Sequence, residues 1–168
     1  YLIADIFVRN KIISPYLCPV NQEKMFSKAC EYGIRATLYI AINSLDDKRV
    51  SLRNIAGKID SPEAFTAKIL QQLVHHDIIH SVKGATGGFE IEKQKLPDIK
   101  LAQIITAIDG DHLFHGCVMG LAVCADAHPC PAHLSYEKIR GQLKTMLDNT
   151  SIYDLSHGLE TGLTFLKQ

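Results

Sequence analysis

The 168-residue chain is 46% hydrophobic and 21% charged, a globular balance that excludes disordered and collagen-like classes. Its 18 basic and 18 acidic residues cancel, so bulk charge does not bring it to nucleic acid, and any such partner must meet a local patch. Five cysteines are present, and Cys117, Cys124 and Cys130 crowd into one short stretch.

No stretch approaches the roughly 18 uninterrupted apolar residues of a membrane helix. Residues 1–20 are apolar but broken by Asp5, Arg9, Lys11, Pro15 and Pro19, a poor match to a signal peptide. A cytoplasmic location is therefore expected, where thiols stay reduced and clustered cysteines point to metal or redox chemistry. The chain starts at Tyr1, and Met25 is followed at once by a well-patterned helix. Residues 1–24 accordingly read as an upstream extension outside the functional domain.

Apolar residues recur at Cys30, Ile34, Leu38, Ala41, Ile42 and Leu45, one face of a helix. After Asp46-Asp47-Lys48, Ser51 can cap a short helix carrying Leu52, Ile55, Ala56 and Ile59. Ser61 suits the next N-cap, with Pro62 at the first helical position and Glu63 at the positive end of the helix dipole. That helix is predicted to turn Phe65, Ile69, Leu73 and Val74 inward and to leave Thr66, Lys68, Gln71 and Gln72 on other faces. Residues 78–82 and 89–91 are β-prone and flank Lys83-Gly84-Ala85-Thr86-Gly87-Gly88, so they predict a β-hairpin. That loop lacks the Gly-Lys-Ser/Thr of a phosphate loop. Leu101, Ile104, Ile105 and Ile108 mark another helix, closed by Gly110. Residues 111–133 show no periodicity. From residue 134 to 149, Ile139, Leu143, Met146 and Leu147 form a last stripe, and a tail ends at Gln168.

Helix, helix, turn, helix, hairpin is the order of a winged helix-turn-helix, a mainly α (α+β) fold. The expected divisions are a DNA-binding region over 25–110, a Cys/His-rich loop over 111–133, and a long helix with its tail over 134–168. A capped helix fits the DNA major groove, about 12 Å wide, and a Gly-rich hairpin can reach the backbone. Local charge agrees: residues 48–83 carry six basic and three acidic side chains, a net +3.

Six residues separate Cys117 from Cys124 and five separate Cys124 from Cys130, with His133 three positions on. Thiolates are soft ligands for iron–sulfur clusters and zinc, and an imidazole can complete either. The gaps differ from the two-residue spacing of zinc ribbons and fingers. His133 is the candidate fourth ligand, with His128 and His115 near enough to compete. No paired acid and base accompanies the thiols, and no enzyme is expected.

These pieces, in this order, resemble the Rrf2 family of winged-helix transcription regulators, which includes IscR, NsrR and BadM. The resemblance runs from residue 25 to about 159. It rests on Glu31-Tyr32-Gly33-Ile34-Arg35, Ser51-Leu52-Arg53-Asn54-Ile55-Ala56, the wing Lys83-Gly84-Ala85-Thr86-Gly87-Gly88-Phe89, the three cysteines, and Asn149-Thr150-Ser151-Ile152-Tyr153-Asp154-Leu155. It implies a homodimer paired through residues 134–149 and reading a palindromic site on double-stranded DNA. It also implies an iron–sulfur cluster, two-iron–two-sulfur rather than four-iron–four-sulfur, on Cys117, Cys124 and Cys130, with zinc as the alternative. Members differ in the fourth ligand: His133 matches one pattern, and Glu31 sits where others place an acidic ligand. DNA contacts are implied at Ser51, Arg53, Lys83, Thr86 and Gly87, and Thr66 and Lys68 join them on facing alone. Two departures stand out: the first cysteine gap is one residue longer than in the best-known members, and the turn around residues 61–64 is two residues longer.

Overall fold

Ser27 opens the first helix in the computed structural model, which describes residues 25–84 and 86–161. The extension proposed for residues 1–24 therefore lies outside the described residues. The Ser27 hydroxyl accepts from the Cys30 N–H at 3.1 Å, and the Asp109 carboxylate accepts from the Ser27 amide at 2.9 Å and from its hydroxyl. One serine thus caps helix α1 (Lys28–Leu45) and ties it to the end of α4 (Leu101–Asp109).

Helix α1 is buried on more than the one face its pattern predicts. Gly33, Ala36, Thr37 and Ile40 are buried alongside Cys30, Leu38 and Ala41, whereas Ile34, Ile42 and Leu45 are half-buried. The reason is its central position: α2 (Leu52–Ile59), α3 (Glu63–His75), α4 and α7 (Ile152–Glu160) all pack on it. A Cβ at Gly33 would run into the Ile108 side chain, so glycine lets α1 and α4 approach closely.

Ser51 caps α2 as expected, accepting from the Asn54 N–H at 3.2 Å. Asp60 then turns the chain in the left-handed region, φ 56°, and its amide donates back to Ala56. The next cap differs from expectation. Pro62, not Ser61, occupies the N-cap of α3, and the Ser61 hydroxyl is buried without a hydrogen-bond partner among the described residues. The buried face of α3 also differs, keeping Ile69 and Leu73 but exchanging Phe65 and Val74 for Thr66 and Leu70. Thr66, Ile69, Leu70 and Leu73 face inward, while Phe65 is exposed and Val74 half-buried. Phe65 instead meets Tyr32 edge-on, with ring centroids 6.0 Å apart.

The hairpin pairs β1 (His80–Val82) with β2 (Gly88–Glu90), antiparallel, Ser81 opposite Phe89. Val50 bridges to Phe89 from the outer side, anchoring the wing to the chain just before α2. Gly88 sits at φ +151°, and a Cβ there would press on the Val50 carbonyl oxygen at 2.8 Å. Replacing Gly88 by alanine is expected to cost about 1–3 kcal/mol through this strain and clash. For a chain of this size that is a melting-temperature loss of roughly 2–12 °C, and a variant melting with wild type would refute the packing described here.

After α4, Gly110 (φ +80°) ends the helix, and a one-turn helix α5 (His112–His115) buries Phe114. The sequence pattern gave no sign of α5, which is too short to show a period. Helix α6 (His133–Asn149) follows the cysteine loop, and then Leu101 and Ile152 hydrogen-bond across to Thr150 and Ile99 at 3.0 and 2.9 Å. This junction returns the tail to α1 as α7, with Ile152 and Ser156 fully buried. The core divides in two. The larger part fills the winged region, and a smaller one joins Cys30, Ala102, Ile105, Phe114 and Leu147, from α1, α4, α5 and α6. Among the described residues, no helix is long and apolar enough to cross a membrane.

Candidate metal centre and nucleic-acid interface

The basic residues of the winged region divide into paired and unpaired ones. Lys48 pairs with Asp46 at 3.0 Å and Arg49 with Glu90 at 2.8 Å. Arg53, Lys58, Lys68 and Lys83 are exposed and make no ion pair among the described residues. Two of the six bases behind the +3 stretch are therefore neutralised locally, and four remain for a partner. Lys68 on α3 projects outward with Gln71, Gln72 and His75, and Thr86 is exposed at the wing tip. Gly87 is half-buried, and its amide closes the wing turn on the Gly84 carbonyl at 2.9 Å. The Ser51 side chain is exposed but engaged as a cap. Thr66 is a correction. It is fully buried and its hydroxyl donates to the Pro62 carbonyl at 3.1 Å, so it cannot face DNA. The shift of the buried face of α3 toward Thr66 and Leu70 puts it inside, and Gln71 and Gln72 share the surface with Lys68.

The cysteine loop folds its three thiols together. The Sγ atoms of Cys117, Cys124 and Cys130 lie within 4.8 Å of one another, with Cys117 and Cys130 3.7 Å apart. Gly116 and Gly120 bracket Cys117, and the Gly120 amide closes a turn on the Cys117 carbonyl at 2.9 Å. His133 opens α6 and turns Nδ1 to the Cys124 sulfur at 3.2 Å. His115, Tyr136 and Arg140 line the same small cavity, about 40 Å³ in volume. Arg140 holds the loop by donating to the Gly116 carbonyl at 2.8 Å.

The thiols differ electrostatically. Backbone amides of Leu121 and Met119 pull Cys117 down to about 7, into the range where thiolate is abundant. At Cys124 the Cys130 amide lowers the value, but burial and the neighbouring thiols outweigh it and leave it raised. Cys30, buried and beside Asp109, is pushed up to about 12 and is chemically inert by comparison. Cys130 is buried and Cys117 and Cys124 are half-buried, so the group is sheltered yet reachable.

This donor set suits a four-coordinate metal: three soft thiolates and one imidazole converge from one loop and one helix end. Of the other candidates, His115 sits 3.8 Å from Asp111, and His128 is exposed in the loop turn. Glu31, on the first turn of α1, lies beside Lys28 at 3.3 Å and Arg35 at 3.9 Å, and within the chain it is not part of the thiol group. Sequence reasoning passed over Asp126, Tyr136 and Arg140. Helical spacing from His133 placed the last two on its face, and Asp126 lies inside the second cysteine gap.

The α2–α3 pair followed by a paired wing defines a winged helix-turn-helix protein. The model of the Rrf2 family, described as an iron-dependent transcriptional regulator, matches residues 26–158, and the chain belongs to that family. An HTH-type transcriptional regulator of Aquifex aeolicus is 30% identical over 134 residues, covering 78% of this chain and 90% of that protein. Two solved structures share the fold. T. potens IscR superposes with a TM-score of 0.64 at 21% identity, over 87% of this chain and 96% of its own. CymR of B. subtilis, the global cysteine regulator of that organism, gives 0.63 at 23%, over 79% and 95%. The protein is thus a DNA-binding transcription regulator and not an enzyme.

Proposed function

We propose that the protein is a homodimeric regulator whose DNA affinity is set by an iron–sulfur cluster, two-iron–two-sulfur, held by Cys117, Cys124, Cys130 and His133. The observation that carries this reading is the convergence of three thiols and an imidazole at the start of α6. That helix leaves Ile139 and Met146 exposed on one stripe, an apolar face suited to a second copy. When bound, the cluster supplies a redox- and nitric oxide-sensitive crosslink between the loop and α6. The chain's own residues do the rest. Phe114 and Leu147 pack the loop and α6 onto α4 and α1, and α4 packs on α3. A change in loop geometry thereby bears on the spacing and tilt of the two α3 helices over a palindromic site.

A single zinc ion is the second reading. The 3.7 Å between Cys117 and Cys130 sulfurs matches the roughly 3.8 Å edge of a tetrahedron with bonds of about 2.3 Å. Without any metal, the low Cys117 value and its nearness to Cys130 would make the pair a thiol switch. Anaerobic purification separates these readings: the cluster gives coloured protein with iron and acid-labile sulfide in proportion. Colourless protein with stoichiometric zinc would replace the cluster by the second reading.

DNA contact by Arg53, Lys68 and Lys83 is testable through salt. Each alanine substitution, present in both protomers, is expected to weaken binding and to flatten the log–log salt dependence by about two units. Unchanged slopes would remove those side chains from the interface.

A further inference from the structure

Resting on the metal reading above, we propose that Asp126 is a positioning residue for His133, fixing its tautomer so that Nδ1 faces the thiols with a free lone pair. His133 Nε2 lies 3.0 Å from Asp126 Oδ1, while Nδ1 lies 3.2 Å from Cys124 Sγ on the other side of the ring. A carboxylate only accepts, so the proton of the neutral ring sits on Nε2 and is donated to Asp126. Nδ1 then accepts from the Cys124 thiol, and it is the nitrogen already turned toward the site. The His133 ring itself is only 10% exposed, so few competing waters reach it, although Asp126 projects into solvent.

The geometry has a further consequence for the loop. Asp126 lies between Cys124 and Cys130, in the turn closed by the His128 amide on the Ala125 carbonyl at 2.9 Å. The same short segment therefore supplies two thiols and the group that orients the imidazole. Carboxylate–histidine–metal arrangements of this kind orient the ring and raise ligand basicity. Glu137, one helical turn beyond His133, has a carboxylate oxygen near both groups but makes no hydrogen bond to the ring. It serves as the control.

The test uses the full chain reconstituted anaerobically with ferrous iron and sulfide, challenged with a chelator. Asp126→Asn is expected to weaken metal retention by about 10- to 100-fold and to alter the nitrogen hyperfine coupling of the reduced protein. Asp126→Glu restores most of the retention, and Glu137→Gln leaves it unchanged. In a His133→Cys background, which has no second ring nitrogen to hold, Asp126→Asn loses its effect. Wild-type retention in Asp126→Asn, or an equal loss in the His133→Cys background, overturns the inference while leaving the metal reading intact. Wild-type protein that takes up no metal overturns both.

Discussion

Cys124→Ser is expected to abolish metal binding and to shift DNA affinity by roughly 5- to 150-fold, the range of a coupling free energy of about 1–3 kcal/mol. Each sulfur lies within 4.8 Å of the other two, and that of Cys124 also meets His133 at 3.2 Å, so its loss removes one of four converging donors. Serine keeps the size and the hydrogen bond to His133 but offers a harder, less acidic oxygen. The fold should survive, because the loop contributes little to the core beyond Phe114 and Cys130. Metal analysis and a binding titration on DNA selected from a random pool check both halves. Retained metal, or unchanged affinity after its loss, would contradict the assignment. Cys30→Ser provides the contrast: it is buried on α1 away from the thiol group and should leave metal content alone.

The second large effect is expected on α6. Only Leu147 of that 17-residue helix is buried in the single chain. Ile139 is 60% exposed and Met146 49%, two helical turns apart on one stripe, with Leu143 half-buried between them. Ile139→Glu places a charge in the middle of that stripe. The expected result is a monomer by sedimentation at concentrations where the wild type is a dimer. Losing the second winged domain also removes bivalent engagement, so affinity for a palindromic site should fall by about 10²- to 10⁴-fold. A variant that stays dimeric would move the interface off this face.

Much of the fold was legible because its signals are local. Ser51 ahead of an apolar stripe marked α2, and a glycine-rich turn between β-prone runs marked the wing. What escaped depends on tertiary context. The exact buried face of α3 cannot be read from an apolar pattern when Phe65, Thr66 and Leu70 all satisfy some helical face; packing against α1 decides it, and it buries Thr66. Helix α5 is a single turn, below the length at which any period shows. The pairing of Val50 with Phe89 joins residues far apart in sequence. The return of α7 onto α1 likewise rests on the long-range pairing of Lys100 with Ser151.

The candidate site divides the same way. Three cysteines and a histidine at close spacing announced themselves by composition, since soft ligands gathered in an irregular loop have few other uses. Asp126 and Arg140 did not, because an exposed aspartate and a helix arginine are common everywhere. Only the fold shows one against His133 and the other clamping the Gly116 carbonyl. The +3 stretch was also too coarse. Ion pairs at Lys48 and Arg49 leave Arg53, Lys58, Lys68 and Lys83 as the bases free to meet phosphate among the described residues.

On the proposed function, the occupant of the Cys117–Cys124–Cys130 loop sets DNA affinity. The most direct measurement compares one anaerobic preparation before and after its metal is stripped by chelator, titrated on the same selected DNA at one fixed salt concentration. The expected affinities differ by about 5- to 150-fold, with the original value restored on reconstitution. Equal affinities for the loaded and stripped protein, with metal analysis confirming the difference in content, would contradict it.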